Sequence, residues 1–329
     1  MRTNRTERRG FVLIVVLCMV VMLSVLLLAF NQESRANLHA VDDFRKSAQA
    51  LNCARAGVSI AIAAVKDLAG AQLGKSSKNL LSGEKAVALD QGECLIKVSE
   101  ESGKLNVNLL SDKNGTLNRA RIEHLLKLID NLNKDGSDNS HIDYGIVPSI
   151  IDWIDSDDEV TSLPFVKHKN RGAESGYYGR SRPSYKCRNA PVETIEELLL
   201  VKGISPEIFD RLRDHLTVYG DGKINVNSAS KLTLASLSEN MDAALAQVII
   251  ERRRLKPFEN VAELRDLPGM TDELYYAISR MLTVDPKDRY YNVTARGDVD
   301  SIDRTVTAIL RMNENGKSVD VVLYRELEG

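Results

Sequence analysis

Between Phe11 and Phe30 the chain runs for twenty residues without one charged side chain. A helix rising about 1.5 Å per residue would carry that segment across the roughly 30 Å hydrocarbon core of a bilayer. The segment can therefore span a membrane. Arg2, Arg5, Arg8 and Arg9 precede it against a single Glu7, a bias that favours a cytoplasmic N-terminus. The bulk of the chain is then expected outside the cytoplasm.

A secretory signal would be shorter and would end at a small-residue cleavage site, whereas this run passes directly into Asn31-Gln32-Glu33-Ser34-Arg35. The junction Arg8-Arg9-Gly10-Phe11 leaves two readings open, a plain single-pass anchor or a processing site. It resembles the type III signal of prepilins and pseudopilins. That resemblance implies cleavage by a prepilin peptidase after Gly10, with Phe11 as the new, usually N-methylated, first residue.

Beyond the apolar segment, Val41, Phe44, Ala48, Leu51, Ala54, Val58, Ile62 and Val65 recur at steps of three and four, one stripe along a helix. The first proline is Pro148. One long helix to about Leu68 is predicted, its outer half packed on a soluble domain. This is the shape of the pilin family, and Ala50-Leu51-Asn52-Cys53-Ala54-Arg55-Ala56-Gly57-Val58 resembles a segment of its minor members.

Gly74-Lys75-Ser76-Ser77-Lys78 reads as a surface loop. Cys94–Ser99 and Lys104–Asn108 alternate as strands, and a turn at Ser102-Gly103 would join them in a hairpin. Tyr290–Arg296, Thr305–Met312 and Val319–Arg325 read as three more strands, with turns at Gly297-Asp298 and at Asn313–Gly316. The expected fold class is α+β: a long N-terminal transmembrane helix packed on one pilin-like antiparallel sheet, which a large helical insertion interrupts. Of the four cysteines, Cys18 lies in the apolar segment; one disulfide among Cys53, Cys94 and Cys187 is open, and free buried thiols are the alternative.

The insertion opens with helices near Leu117–Leu132 and Val147–Ile154, and the second runs into Asp152-Trp153-Ile154-Asp155-Ser156-Asp157-Asp158-Glu159. Carboxylates so close repel one another unless solvent or a cation compensates, and a loop can converge them on hard Ca²⁺. The glycine and the closing glutamate of an EF-hand loop are missing. A solvated acidic turn is the alternative. Glu174, after the basic stretch Lys167–Arg171, could supply a further carboxylate; Asp135-Gly136-Ser137-Asp138-Asn139 reads as a loop.

Farther on, Ile195–Ile204 with Pro206–Leu216, and Val261–Met270 with Asp272–Leu282, repeat one pattern of helix, glycine turn and helix, with Gly203 and Gly269 at the turns. These carry the marks of paired helix-hairpin-helix units. Such units bind DNA through a turn with two glycines, and the second glycine is here Ser205 or Thr271. Residues 191 to 284 hold eleven Lys and Arg against fifteen Asp and Glu, a net of −4 that opposes binding to a phosphate backbone. Arg252–Arg254 is the only local basic cluster. A protein-contact or structural role is the expectation.

The order of Arg9-Gly10-Phe11, Asp152-Trp153-Ile154-Asp155, Gly172-Ala173-Glu174, Val201-Lys202-Gly203 and Ile224-Asn225-Val226-Asn227 resembles the minor pseudopilin K family of the bacterial type II secretion system. The resemblance implies a leader at 1–10, a transmembrane helix at 11–30, an amphipathic helix and first strands at 31–111, an inserted helix-hairpin-helix or SAM-like domain at 112–285, and closing strands at 286–329. It also implies a bacterial inner-membrane protein with a periplasmic domain, joining pseudopilins I and J at the pseudopilus tip and meeting other pseudopilins, prepilin peptidase, and secreted substrates or the outer-membrane secretin. Calcium is the implied cofactor, with Asp152, Asp155, Asp157, Asp158, Glu159 and Glu174 as candidate ligands. Most pilins place a glutamate where this chain, counted from Phe11, has Val15. A buried charge in hydrocarbon is costly without a neighbour to pair it, so its loss suits a tip subunit. No catalysis is expected, because His39, His124, His141, His168 and His215 show no metal spacing and neither a nucleophile elbow nor a phosphate loop occurs. The rival is a membrane-anchored, competence-type DNA receptor.

Overall fold

The structure, a computed structural model, describes residues 6–69, 83–112, 115–135, 141–166, 170–313 and 318–327. The expected loop Gly74–Lys78, residues 136–139, Lys167 of the basic stretch and the turn after Asn313 lie outside these. A single helix, α1 (Thr6–Ala69), carries the apolar segment and continues beyond it. Its side chains from Phe11 to Phe30 are exposed, while Ala50, Cys53, Ala54, Val58, Ala61 and Val65 are buried. The stripe thus divides into a free half and a packed half.

In chain order the strands are β1 (Glu84–Leu89), β2 (Gly92–Glu100), the two-residue β3 to β6 (Leu105–Asn106, Leu216–Thr217, Ile224–Asn225, Leu282–Thr283), β7 (Arg289–Val299), β8 (Ile302–Met312) and β9 (Val319–Leu327). β1, β2, β7, β8 and β9 form one antiparallel sheet in that order. The inward residues of β2, β7 and β8, among them Ile96, Val98, Val293, Ala295, Val306 and Leu310, pack against α1. Small residues set the spacing. A Cβ at Gly297 would collide with the Ala50 carbonyl oxygen and come within 2.7 Å of the Ala54 nitrogen. Arg55 clamps the helix to β9 through both Glu326 oxygens, at 2.8 and 3.0 Å.

Three sequence expectations change here. Cys94–Ser99 does form a hairpin, but with β1 on its N-terminal side. Leu105–Asn106 instead runs parallel to Leu216–Thr217, because Leu105 and Val107 are buried in the helical core. The crossing into the helical region therefore comes at the 3-10 turn Glu101–Gly103, earlier than residue 112. The turn expected at Gly297-Asp298 lies at Asp300-Ser301, where φ of +51° and +68° suits a tight two-residue hairpin. Gly297 is needed under α1 and not in a turn.

The helical region has two cores, one spanning Leu105 to Leu216 and one Ile224 to Leu282. Both are built to one plan. Leu105-Asn106-Val107-Asn108 and Ile224-Asn225-Val226-Asn227 open them, and parallel pairs Leu105 with Leu216 and Ile224 with Leu282 close them. In the first, the Asn108 amide clasps the backbone of Val192, donating to its carbonyl at 2.9 Å and accepting from its nitrogen at 2.7 Å. In the second, Asn227 clasps Phe258 in the same way, at 2.9 Å for both bonds. Each clasped residue leads into a 3-10 helix, Ile195–Leu200 or Val261–Asp266, then a left-handed glycine, then an α-helix, Pro206–Leu212 or Asp272–Ile278.

Because an added methyl at residue 297 meets backbone rather than a flexible side chain, Gly297→Ala should lower the unfolding free energy by about 1–3 kcal/mol. Urea unfolding of the detergent-solubilised protein checks this; an unchanged midpoint would show that α1 can move aside freely.

Candidate metal centre

The nine residues of the helix Ile146–Ile154 are all buried, so the acidic side chain on its last turn has nowhere to go but inward. Asp152 is 0% exposed; Asp155, which ends the helix, is 2% exposed, and Glu174, reached by the returning chain, is 4%. Ligand oxygens from these three carboxylates lie within 4.8 Å of one another. Gly172 permits the approach, since a Cβ there would collide with Asp152 Oδ2.

Little protein compensates this charge. Asp152 Oδ1 accepts from the Thr161 nitrogen at 2.8 Å. Asp152 Oδ2, Asp155 Oδ1 and both Glu174 oxygens are buried without a hydrogen-bond partner, and so is Asn189 Oδ1, fifteen residues beyond Glu174. Buried polar atoms are almost always paired, and unpaired charge is the costliest case. The pKa values respond accordingly. Burial, then the charges of Asp157 and Asp152, push Asp155 up to about 7. Burial, then Asp152, Asp155 and Asp158, push Glu174 up to about 8. Burial raises Asp152 too, against the opposing pull of Thr161. Orphaned hard oxygens facing one another fit a divalent cation that prefers oxygen, such as calcium.

The other three acidic candidates face outward. Asp157, Asp158 and Glu159 are exposed. Asp157 accepts from the Glu159 nitrogen at 2.8 Å, within its own turn, and Asp158 from the Ser175 nitrogen at 3.2 Å, on the returning chain. Sequence reasoning had no signal for Thr161 or Asn189. It noted Cys187 only as a disulfide candidate, yet that thiol donates to the Asp152 carbonyl at 3.3 Å. Trp153 and Tyr178, which follow Asp152 and Glu174 in the chain, meet edge to face at 5.1 Å.

At the two glycine turns, Gly203 and Gly269 have φ of +86° and +89°. Ser205 and Thr271 cap the helices that follow, accepting from the nitrogens of Ile208 and Leu274 at 3.3 and 3.2 Å. Gly10 lies within α1, Phe11 is exposed, and Val15 is on the exposed apolar segment.

The sequence profile of type II secretion system (T2SS) protein K matches in two parts, residues 103–221 and residues 224–285, which coincide with the two cores and together take in more than half of the chain. The chain belongs to the type II secretion system protein K family. The protein K of Pseudomonas aeruginosa is 24% identical over 233 residues, covering 69% of this chain and 63% of its own length. That of Aeromonas hydrophila is 24% identical over 195 residues, covering 56% and 54%. The matched region thus spans less than two thirds of these curated relatives. Among solved structures, the crystal structure of the GspK-GspI-GspJ complex from the enterotoxigenic Escherichia coli type 2 secretion system contains a chain with the same fold. That chain aligns with a TM-score of 0.63 and 20% identity, over 90% of this chain and 100% of the other.

With no metal bound, raised carboxyl pKa values give a definite pH trend. Between the unfolded values near 4 and the folded values of about 7 to 8, the folded state holds protons that the unfolded chain releases, so stability falls as pH rises through that window. Metal-free protein should accordingly be more stable at pH 5 than at pH 8, and Glu174→Gln should recover roughly 1–3 kcal/mol at pH 8. Urea denaturation at the two pH values measures both effects; a flat profile would mean the carboxylates are compensated by other groups.

Proposed function

We propose that this chain is a minor pseudopilin with a structural role, anchored in the bacterial inner membrane by α1 with its N-terminus cytoplasmic and its sheet and helical region periplasmic. The observation that carries this reading is the divided face of α1. Its inner half is used up by the sheet, while Leu38, Val41 and Phe44 stay exposed beyond the membrane-length segment. A run of exposed apolar side chains on a free helix calls for other helices. By analogy with the solved complex, those belong to pseudopilins I and J, and the three cap the pseudopilus, where assembly starts. Val15 supports the end position, because a subunit with no outward neighbour has no partner for a carboxylate there. Processing after Gly10 by a prepilin peptidase, contact with other pseudopilins, and presentation of the helical region to secreted substrates or the outer-membrane secretin complete the proposal.

The two recurring turns support a protein-contact or structural role over nucleic-acid binding. Where a second glycine would stand, Ser205 and Thr271 instead use their side chains to cap the helices that follow, and Arg253 of the basic cluster donates to the carbonyls of Val226 and Ala229 at 2.6 and 2.8 Å. His124, too, serves packing: it is buried against the Thr233 carbonyl at 3.2 Å, and burial lowers it to about 4. Failure of the detergent-solubilised protein to retard duplex DNA at physiological salt fits this reading; retardation would favour the competence-type receptor.

For the metal centre, Asp152, Asp155 and Glu174 would hold a calcium ion, which supplies the positive charge their mutual repulsion lacks. Its role is structural, tying the helix Ile146–Ile154 to the returning loop at Gly172–Glu174.

Co-expression with pseudopilins I and J should return a ternary complex in which this chain begins at Phe11 by intact mass, and Gly10→Ala should retain the leader. A chain that purifies alone, at full length, would overturn the assignment. Separately, calcium at about a hundred times its dissociation constant should stabilise the metal-free protein by about 2.7 kcal/mol, with the response abolished in Glu174→Gln. A thermal transition indifferent to calcium and to chelator would remove the metal from the proposal.

A further inference from the structure

Cys53 and Cys94 come from distant parts of the chain, one on α1 and one on β2, yet both are buried in the core between helix and sheet. Two glycines make room for them. One helical turn beyond Cys53, a Cβ at Gly57 would collide with Cys94 Sγ, so that sulfur leans into the notch this glycine leaves. Across the β2–β7 ladder Cys94 stands opposite Gly297, and a Cβ at Gly297 would come within 2.9 Å of Cys53 Cβ. Cys53 thus lies over the glycine that Cys94 faces across the ladder. Cys187 is elsewhere, in the helical core with its thiol on the Asp152 carbonyl, and Cys18 is in the apolar segment.

We propose that Cys53 and Cys94, unbridged thiols in this structure, are a disulfide site that fastens α1 to β2 in an oxidising compartment, an inference that rests on the periplasmic placement above. The chemistry is thiol–disulfide exchange with a disulfide-bearing oxidant. One thiolate attacks the oxidant's disulfide and releases one of its sulfurs as a thiol; the second thiolate then attacks the mixed disulfide and releases the other. Two protein thiols are oxidised, and one disulfide of the oxidant is reduced to two thiols. Burial pushes the Cys94 thiol up to about 11, with the neighbouring Cys53 as second cause, so the folded pair is a poor nucleophile. Exchange takes place while α1 is lifted from the sheet, and docking then shields the bond. Closing the chain between residues 53 and 94 restricts the unfolded state.

The test uses the full chain in detergent micelles, reduced and then incubated with oxidised and reduced glutathione in sub-denaturing urea, followed by unfolding, alkylation and peptide mass spectrometry. The expected product is a linked peptide pair carrying Cys53 and Cys94, lighter by two hydrogens than its separate parts, with Cys187 alkylated. A reductant should lower the unfolding temperature of the oxidised wild type and leave Cys94→Ala unmoved. Full alkylation of both cysteines, or a bond from either one to Cys187, overturns the proposal. The readout needs no partner protein, so a missing bond leaves the pseudopilin reading intact, and failure to bind I and J leaves the bond intact.

Discussion

The ladder between β2 and β7 is the constraint on which the rest of the molecule depends. It pairs Glu93 through Glu100 with Asp298 through Tyr291, although the whole helical region lies between these strands in sequence. Bringing such distant residues together costs loop-closure entropy, which grows slowly with length and must be met by order within the insertion. The insertion is therefore built so that its ends return to one place. Each of its two cores closes on itself by a parallel bridge between its first and last segments, and an asparagine clasp holds the middle. Asn225 reaches Glu100 at 3.0 Å, and Tyr219 stacks on Tyr290 at 5.1 Å, so the helical region is stitched to both strands it separates.

With the sheet closed, α1 has a floor to lie on. Gly297 and Gly57 let helix and strands approach closely, and the small side chains Ala50, Ala54 and Ala61 continue that contact. The same helix then projects its exposed apolar half away from the sheet. A helix gripped at one end by its own domain thus keeps the apolar side chains of its other end exposed. The acidic centre is a different use of burial. Three carboxylates are held where solvent cannot reach them, at a cost that a bound cation relieves. A site with that energy balance would make the surrounding loop sensitive to pH and, on the proposal above, to metal.

Much of this was legible in the residues. The charge-free run, the stripe from Val41 to Val65 and the three closing strands obey local periodicities, which need no knowledge of distant contacts. The two glycine turns were visible as a repeat for the same reason. The site was legible only in part: proximity in sequence suggested all of Asp152 to Glu159, but which carboxylates turn inward depends on the helix that carries Asp152 and on where the chain returns with Glu174. β1 escaped notice because Ala86 and Ala88 give weak alternation, and the strand reading of Lys104–Asn108 failed in its pairing because Leu105 is claimed by Leu216.

By itself, then, the sequence determined the membrane-length helix, the α+β class and the succession of long helix, first strand, helical insertion and three closing strands, since each follows from short-range pattern and from the incompatibility of charge with hydrocarbon. Tertiary structure alone decided that Gly297 belongs under α1 rather than in a turn, that Asp152, Asp155 and Glu174 converge while Asp157, Asp158 and Glu159 do not, and that Cys53 and Cys94 are both buried beside the glycines between helix and sheet. These are matters of which surfaces meet across long stretches of chain. Packing at close range, through backbone that admits no side chain and through charge that admits no solvent, is what selects among the arrangements local pattern leaves open.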